Sequence, residues 1–158
     1  MSAVFEDRYD EVLRWVTFKL AGETYGINVM QVQEVLRVPD VAPVPGAPPS
    51  VLGIINLRGS VVTVLDTRDL LALTMDALTD DSRIMIIEAG RVTLGLLVDS
   101  VAEVVNIGAA QIDPAPAVGN DDTSRYIHGV YSTEREIIVL IDLDRLITDD
   151  EQEAASLG

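Results

Sequence analysis

Val51 to Leu71 reads VLGIINLRGSVVTVLDTRDLL. Two apolar runs, Val51–Ile55 and Val61–Leu65, flank Asn56-Leu57-Arg58-Gly59, and the second run ends in Asp66. Apolar runs bounded by turn residues read as buried strands, with Arg58-Gly59-Ser60 as the tight connection between them. Arg58 is the odd residue, a cation set between two strands that belong in a core. Buried without a partner, it would cost several kcal/mol. Arg58 therefore either meets a carboxylate, for which Glu34 is a candidate, or stands at the surface as a recognition group.

Outward from this stretch, the chain repeats itself. Gly26-Ile27-Asn28-Val29-Met30-Gln31-Val32-Gln33-Glu34-Val35-Leu36 aligns with Gly95-Leu96-Leu97-Val98-Asp99-Ser100-Val101-Ala102-Glu103-Val104-Val105. Gly26 meets Gly95, Val32 meets Val101, Glu34 meets Glu103 and Val35 meets Val104. Upstream, Val16 and Phe18 meet Met85 and Ile87. Downstream the offset widens by seven residues because the second copy carries a longer loop around Pro116–Ser124. Gly53 then meets Gly129, and Val64-Leu65-Asp66 meets Leu140-Ile141-Asp142. Each copy reads as about five short strands with close turns and a terminal short helix, the pattern of a small barrel. The expected architecture is mainly β, two intimately packed five-stranded β-barrels from an internal duplication. One barrel is expected over roughly 15–75 and the other over roughly 83–147.

The remaining segments fit that plan. Trp15 to Leu20 alternates as a half-buried strand does. After Tyr25–Val29 the alternation breaks, with Val29, Val32, Val35 and Val38 spaced by three, which implies a bulge or one helical turn. Pro39, Pro43, Pro45, Pro48 and Pro49 make a stiff, extended loop. Residues 1–14 and 148–158 are expected to be loosely ordered or short helices.

Composition excludes much. The 158 residues suffice for a sizeable core, and 48% are hydrophobic but only 4% aromatic. Without cysteines there are no disulfides and no thiol chemistry. A net charge of −15 argues against nucleic acid and anionic lipid as partners. No run approaches a membrane span, so a soluble, cytoplasmic chain without membrane insertion is expected. The one histidine, His128, lies in an apolar strand context typical of a core or edge residue. No phosphate-cradling loop, metal-ligand spacing or catalytic triad is present, so no cofactor, no metal and no catalytic residue is expected.

Together the motifs resemble one family. Phe18-Lys19-Leu20, Tyr25-Gly26-Ile27, Val32-Gln33-Glu34-Val35, Asn56-Leu57-Arg58-Gly59, Val64-Leu65-Asp66-Thr67-Arg68, Gly95 to Val101 and Pro114-Ala115-Pro116 are similar to the CheW family of chemotaxis coupling proteins. The likeness runs from about Trp15 to Ile147. It implies paired SH3-like barrels with no catalysis of their own. Such an adaptor bridges a chemoreceptor's cytoplasmic tip to the regulatory domain of the CheA histidine kinase, in membrane-associated arrays. By position, Val29, Glu34, Arg58, Gly95, Val101 and Val104 match the family's receptor-binding groove, and Val32, Val41 and Gly53 its kinase-facing edge. Asn28 stands where many relatives carry aspartate. Two other classes stay open on the residues alone. A groove that held a metabolite would raise the melting temperature without any protein partner. An enzyme would have to lose its activity in His128→Gln.

Overall fold

The computed structural model describes residues 12–74, 76–115 and 125–147. The first copy supplies β1 (Val12–Leu20), β2 (Glu23–Asn28), β3 (Val32–Arg37), β4 (Val51–Leu57), β5 (Ser60–Asp66) and the short helix α1 (Thr67–Leu70). The second supplies β6 (Arg83–Ala89), β7 (Val92–Val98), β8 (Ser100–Gly108), β9 (Ile127–Ser132), β10 (Ile137–Ile141) and α2 (Leu143–Leu146). The duplication is therefore complete, five strands and a one-turn helix each. Asp66 and Asp142 cap the two helices at matching positions. β1 begins at Val12 and not at Trp15, because β8 offers it partners from Gly108 onward. The rest of the expected loose arm, and the expected C-terminal one at 148–158, lie outside the described residues.

The division into barrels differs from the expected one. Barrel I has the strand order β8-β1-β2-β10-β9 and barrel II the order β3-β6-β7-β5-β4. Each barrel thus combines the first hairpin of one copy with the last three strands of the other. A split into 15–75 and 83–147 does not hold. The physical reason lies in the connections: β2 to β3 and β7 to β8 are short crossovers that carry the chain from one barrel to the other. The first contains the one-turn 3-10 helix Val29–Gln31, the helical turn implied by the broken alternation. In each barrel the exchanged hairpin docks in parallel, β2 beside β10 and β7 beside β5.

Both sheets close through the segment that follows their first strand. In barrel II, Ala42 N–H donates to Ile54 C=O at 2.9 Å and Ile54 N–H donates back at 2.8 Å. In barrel I, Asp113 and Val130 exchange the same two bonds at 2.9 and 2.8 Å. The repeat glycines make this approach possible. A Cβ on Gly53 would lie 2.3 Å from the Ala42 carbonyl oxygen, and one on Gly129 would lie 2.4 Å from Ile112 Cγ2.

Three apolar clusters result among the described residues. Trp15, Ile107, Ile138 and Leu140 fill barrel I, while Ile55, Val62, Val64, Ile84 and Ile86 fill barrel II. The largest cluster lies between the barrels, with Val16, Phe18, Leu20 and Ile27 of one meeting Met85, Ile87, Leu94 and Leu96 of the other. β1 is consequently buried on both faces at Trp15–Phe18, not half-buried as alternation implies. Leu13 and Trp15 pack into the barrel, whereas Val16, Phe18 and Leu20 pack into the joint. Where β1 and β8 slip register, the Thr17 hydroxyl donates to Glu103 C=O at 2.8 Å and accepts from Glu103 N–H at 3.1 Å.

Candidate docking face

Arg58 resolves the question its sequence context raised. It sits at the two-residue β4–β5 turn, where Arg58 (φ 52°) and Gly59 (φ 87°) are both left-handed. That is the backbone pattern of a twist-matched hairpin turn, unusual for arginine at its first position. Gly59 N–H is held by Asn56 Oδ1 at 2.8 Å. The turn projects the guanidinium across the closing seam of barrel II onto Glu34 of β3. Nη1 donates to Oε1 at 3.1 Å, and Nη2 donates to Oε2. Arg58 is at once paired and at the surface, its side chain 70% exposed. The hydrogen bond from Arg58 holds the Glu34 carboxyl below its ordinary value, outweighing burial, and the same bond raises Arg58. A bidentate fork on a strained turn presents a charged group in one fixed orientation.

Beside this pair runs the rim of the inter-barrel cluster. Val29, Val32 and Val101 are partly buried and pack against it from the surface. Val35 (41% exposed) and Val104 (53%) occupy matching positions on β3 and β8, and Met30, on the crossover, is 86% exposed. Val29, Val32, Val101, Glu34 and Arg58 thus belong to one region, at the joint and the adjoining edge strand. Val32, expected at the kinase-facing edge, shares the rim with two residues expected in the groove. Val41 packs instead against the interior cluster of barrel II.

Two expected contact residues are corrected. Gly95 is buried in β7, where a Cβ would lie 2.9 Å from Ile84 Cγ2 and 3.3 Å from Val64 Cγ2. Gly53 is buried beneath Ala42. Neither offers surface to a partner, and both act by keeping their barrel in shape. Position within a motif does not tell an inward glycine from an outward one.

Sequence reading missed Arg68 and Asp99 as a pair. Arg68 of α1 donates from Nε to Asp99 Oδ1 at 3.0 Å and from Nη2 to Oδ2, and its Nη1 reaches Thr74 C=O at 2.7 Å. Its side chain is only 12% exposed. Asp99 also accepts Ala21 N–H at 2.8 Å. The signal was an acid inside an apolar run beside a bend, which reads equally well as solvated. His128 is exposed on β9, its ring 5.4 Å from that of Trp15, as suits an edge residue. Among the described residues no group of three or more His, Asp or Glu could hold a metal, and no helix is long and apolar enough to cross a membrane.

The family model for the CheW-like domain matches residues 14–151, spanning both barrels and both crossovers. This chain belongs to the CheW-like family. The chemotaxis protein CheW of Rhizobium meliloti is 31% identical over 140 residues, 89% of this chain and 90% of that protein. That of Treponema pallidum is 31% identical over 153 residues, 94% of this chain and 90% of that one. Among solved structures, the scaffolding protein TtCheW from Thermoanaerobacter tengcongensis superposes with a TM-score of 0.79. It shares 34% identity, covering 88% of this chain and 94% of that one. The fold is the expected CheW-like pair of SH3-like five-stranded barrels.

Proposed function

We propose that this CheW-like chain is a non-catalytic chemotaxis scaffold that couples the cytoplasmic tip of a chemoreceptor to the regulatory domain of a CheA histidine kinase. It works in the cytoplasm, recruited to membrane-associated receptor arrays. The observation that carries the reading is the family match across both barrels. The geometry is consistent with it: a rim of half-buried valines and an oriented Arg58–Glu34 fork leave something to dock on, without a reacting group. In this proposal Val29, Glu34, Arg58, Val101 and Val104 face the receptor. Val32 and Val41 serve the kinase edge, with Gly53 and Gly95 supporting from within.

A standard interface buries roughly 1,200–2,000 Å² in total, and a central arginine is the type of residue that dominates such contacts. The test is a calorimetric titration with the regulatory domain of a CheA kinase from the same cell, and with a receptor-tip fragment. Arg58→Ala is expected to weaken binding of at least one partner roughly thirtyfold. Val32→Asp is expected to weaken the kinase domain. Absence of binding to any cognate kinase would overturn the coupling role, and unchanged binding by folded Arg58→Ala would remove Arg58 from it.

A further inference from the structure

The two crossovers between the barrels occupy matching places in the duplication and are built unequally. The repeat equates the β1–β2 turn at Ala21 with the β6–β7 turn at Gly90, and Arg68 of α1 with Asp144 of α2. At each joint, a crossover residue links the hairpin turn of one barrel to the helix of the other. On the β7–β8 side the link is Asp99. Its backbone N–H donates to Lys19 C=O at 3.1 Å, and its carboxylate takes Ala21 N–H at 2.8 Å and the Arg68 fork. Arg68 is mostly buried and its three nitrogens are all engaged.

On the β2–β3 side the link is Gln31. Its amide reaches Glu88 C=O at 3.2 Å and Asp144 Oδ1 at 3.3 Å, while Asp144 accepts Gly90 N–H at 3.1 Å. Here the acid stands on the helix and the crossover donor is neutral. Asp144 is exposed, and all three bonds are open to water, the two from the Gln31 amide being the longest at 3.2 and 3.3 Å. A charge-assisted, half-buried fork resists opening better than bonds from a neutral donor that compete with solvent.

We infer that the inter-barrel joint is fixed at Asp99–Arg68 and yielding at Gln31–Asp144, so that the barrels adjust their relative angle about the Asp99 side. Val29 and Val32 lie on either side of Gln31, so the yielding side carries two of the three rim valines, the third being Val101. Its use in docking rests on the scaffold function proposed above: a partner seated on Val29 and Val32 would set the angle between barrels. Arg68 and Asp99 are then positioning residues for the groove.

The test uses the full chain without a partner, so its failure is separate from any failure of the scaffold function. The chain has no cysteine, so Ser60→Cys and Glu134→Cys, one on each barrel, take a nitroxide pair uniquely. Pulsed electron resonance then reads the distance distribution between barrels. Asp99→Asn, and Arg68→Lys as a second variant that keeps the charge but loses the fork, are expected to broaden it. Asp99→Glu restores part of the narrowing, and Gln31→Ala leaves the width unchanged. In the unsubstituted chain, the Ala21 amide should exchange with solvent at least about tenfold more slowly than that of Gly90. Equal broadening by Gln31→Ala, an unchanged width in folded Asp99→Asn and Arg68→Lys, or equal exchange at the two turns would overturn the inference.

Discussion

Gly53→Ala tests the closure of barrel II with the smallest possible change. The added methyl carbon would lie 2.3 Å from the Ala42 carbonyl oxygen, 2.9 Å from its carbon and 2.8 Å from Val41 Cγ1. Two of these atoms are backbone, which cannot rotate aside as a side-chain tip can. The closing segment must lift, and the paired Ala42–Ile54 hydrogen bonds go with it. Each such bond is worth about 0.5–1.5 kcal/mol net, and overpacking costs about 1–3 kcal/mol. A loss of about 3–4 kcal/mol is expected, a large share of the ~5–15 kcal/mol that holds a domain folded. For a chain of this size that lowers Tm by about 6–15 °C.

Urea denaturation provides the assay, followed by circular dichroism and by the emission of Trp15, which is 3% exposed in barrel I. The midpoint should fall without a change in slope. Gly22→Ala and Gly59→Ala are the controls. Nothing lies within 4 Å of either added carbon, but φ is +83° and +87°, so only left-handed strain of about 1–2 kcal/mol is expected. Gly129→Ala repeats the experiment in barrel I, against Ile112 Cγ2 at 2.4 Å and the Asp113 carbonyl at 2.8 Å. If Gly53→Ala costs no more than Gly59→Ala, the closure argument is wrong.

Two further predictions concern charge and connectivity. Burial pushes Asp99 up, but the Arg68 hydrogen bond, the Ala21 N–H and the Arg68 charge together bring it below its ordinary value, as Arg58 does Glu34. An acid lowered on folding adds stability above its unfolded pKa of about 4, lost as pH falls through the lowered value. Asp66 is opposite in sign, since burial raises it and its ionisation is a cost at neutral pH that disappears on acidification. Urea midpoints at pH 7 and pH 3 should therefore converge in Asp99→Asn, whereas Asp66→Asn should gain stability at pH 7 relative to pH 3. Opposite behaviour would refute these signs. Separately, fragments 1–75 and 76–158 should each fail to fold alone and recover the native spectrum on mixing, because each barrel takes strands from both. A cooperatively folded lone fragment would contradict the exchange.

Much of this was legible in the sequence because it depends on local pattern. The repeat and its turns located both hairpins of each copy, the broken valine spacing located the 3-10 turn at Val29–Gln31 but not the strand β3 that follows it, and the isolated cation at Arg58 pointed to Glu34. The exchange of hairpins was not legible. Two near-equivalent copies present the same apolar faces, so β2 can complete either barrel as far as pattern goes, and only the short crossovers decide. For the same reason alternation understated the burial of β1: Val16 and Phe18 look outward from their own barrel but inward to the joint. Arg68 and Asp99 escaped because a half-buried ion pair across 31 residues leaves no periodic trace.

The exchange also explains where a docking rim can form. In two barrels joined by a linker, the linker would lie outside the interface and the core between them would be sealed by strand faces alone. Here the covalent crossovers run through the joint, and Val29, Val32 and Val101 lie on or beside them, half inside the shared cluster. Covering those valines with a partner extends the core that already holds the barrels together. Burial there at about 25 cal/mol per Å² favours docking and tightens the joint at once. The Arg58–Glu34 fork cannot contribute in that way, since it lies on the outer seam of one barrel and is open to solvent. In the proposed role it adds a charged, bidentate contact of defined direction beside the apolar rim. In the proposed coupling role, apolar burial at the joint and the charged fork on the seam are separable contributions, so substitutions at Val101 and at Arg58 should weaken binding of a partner independently.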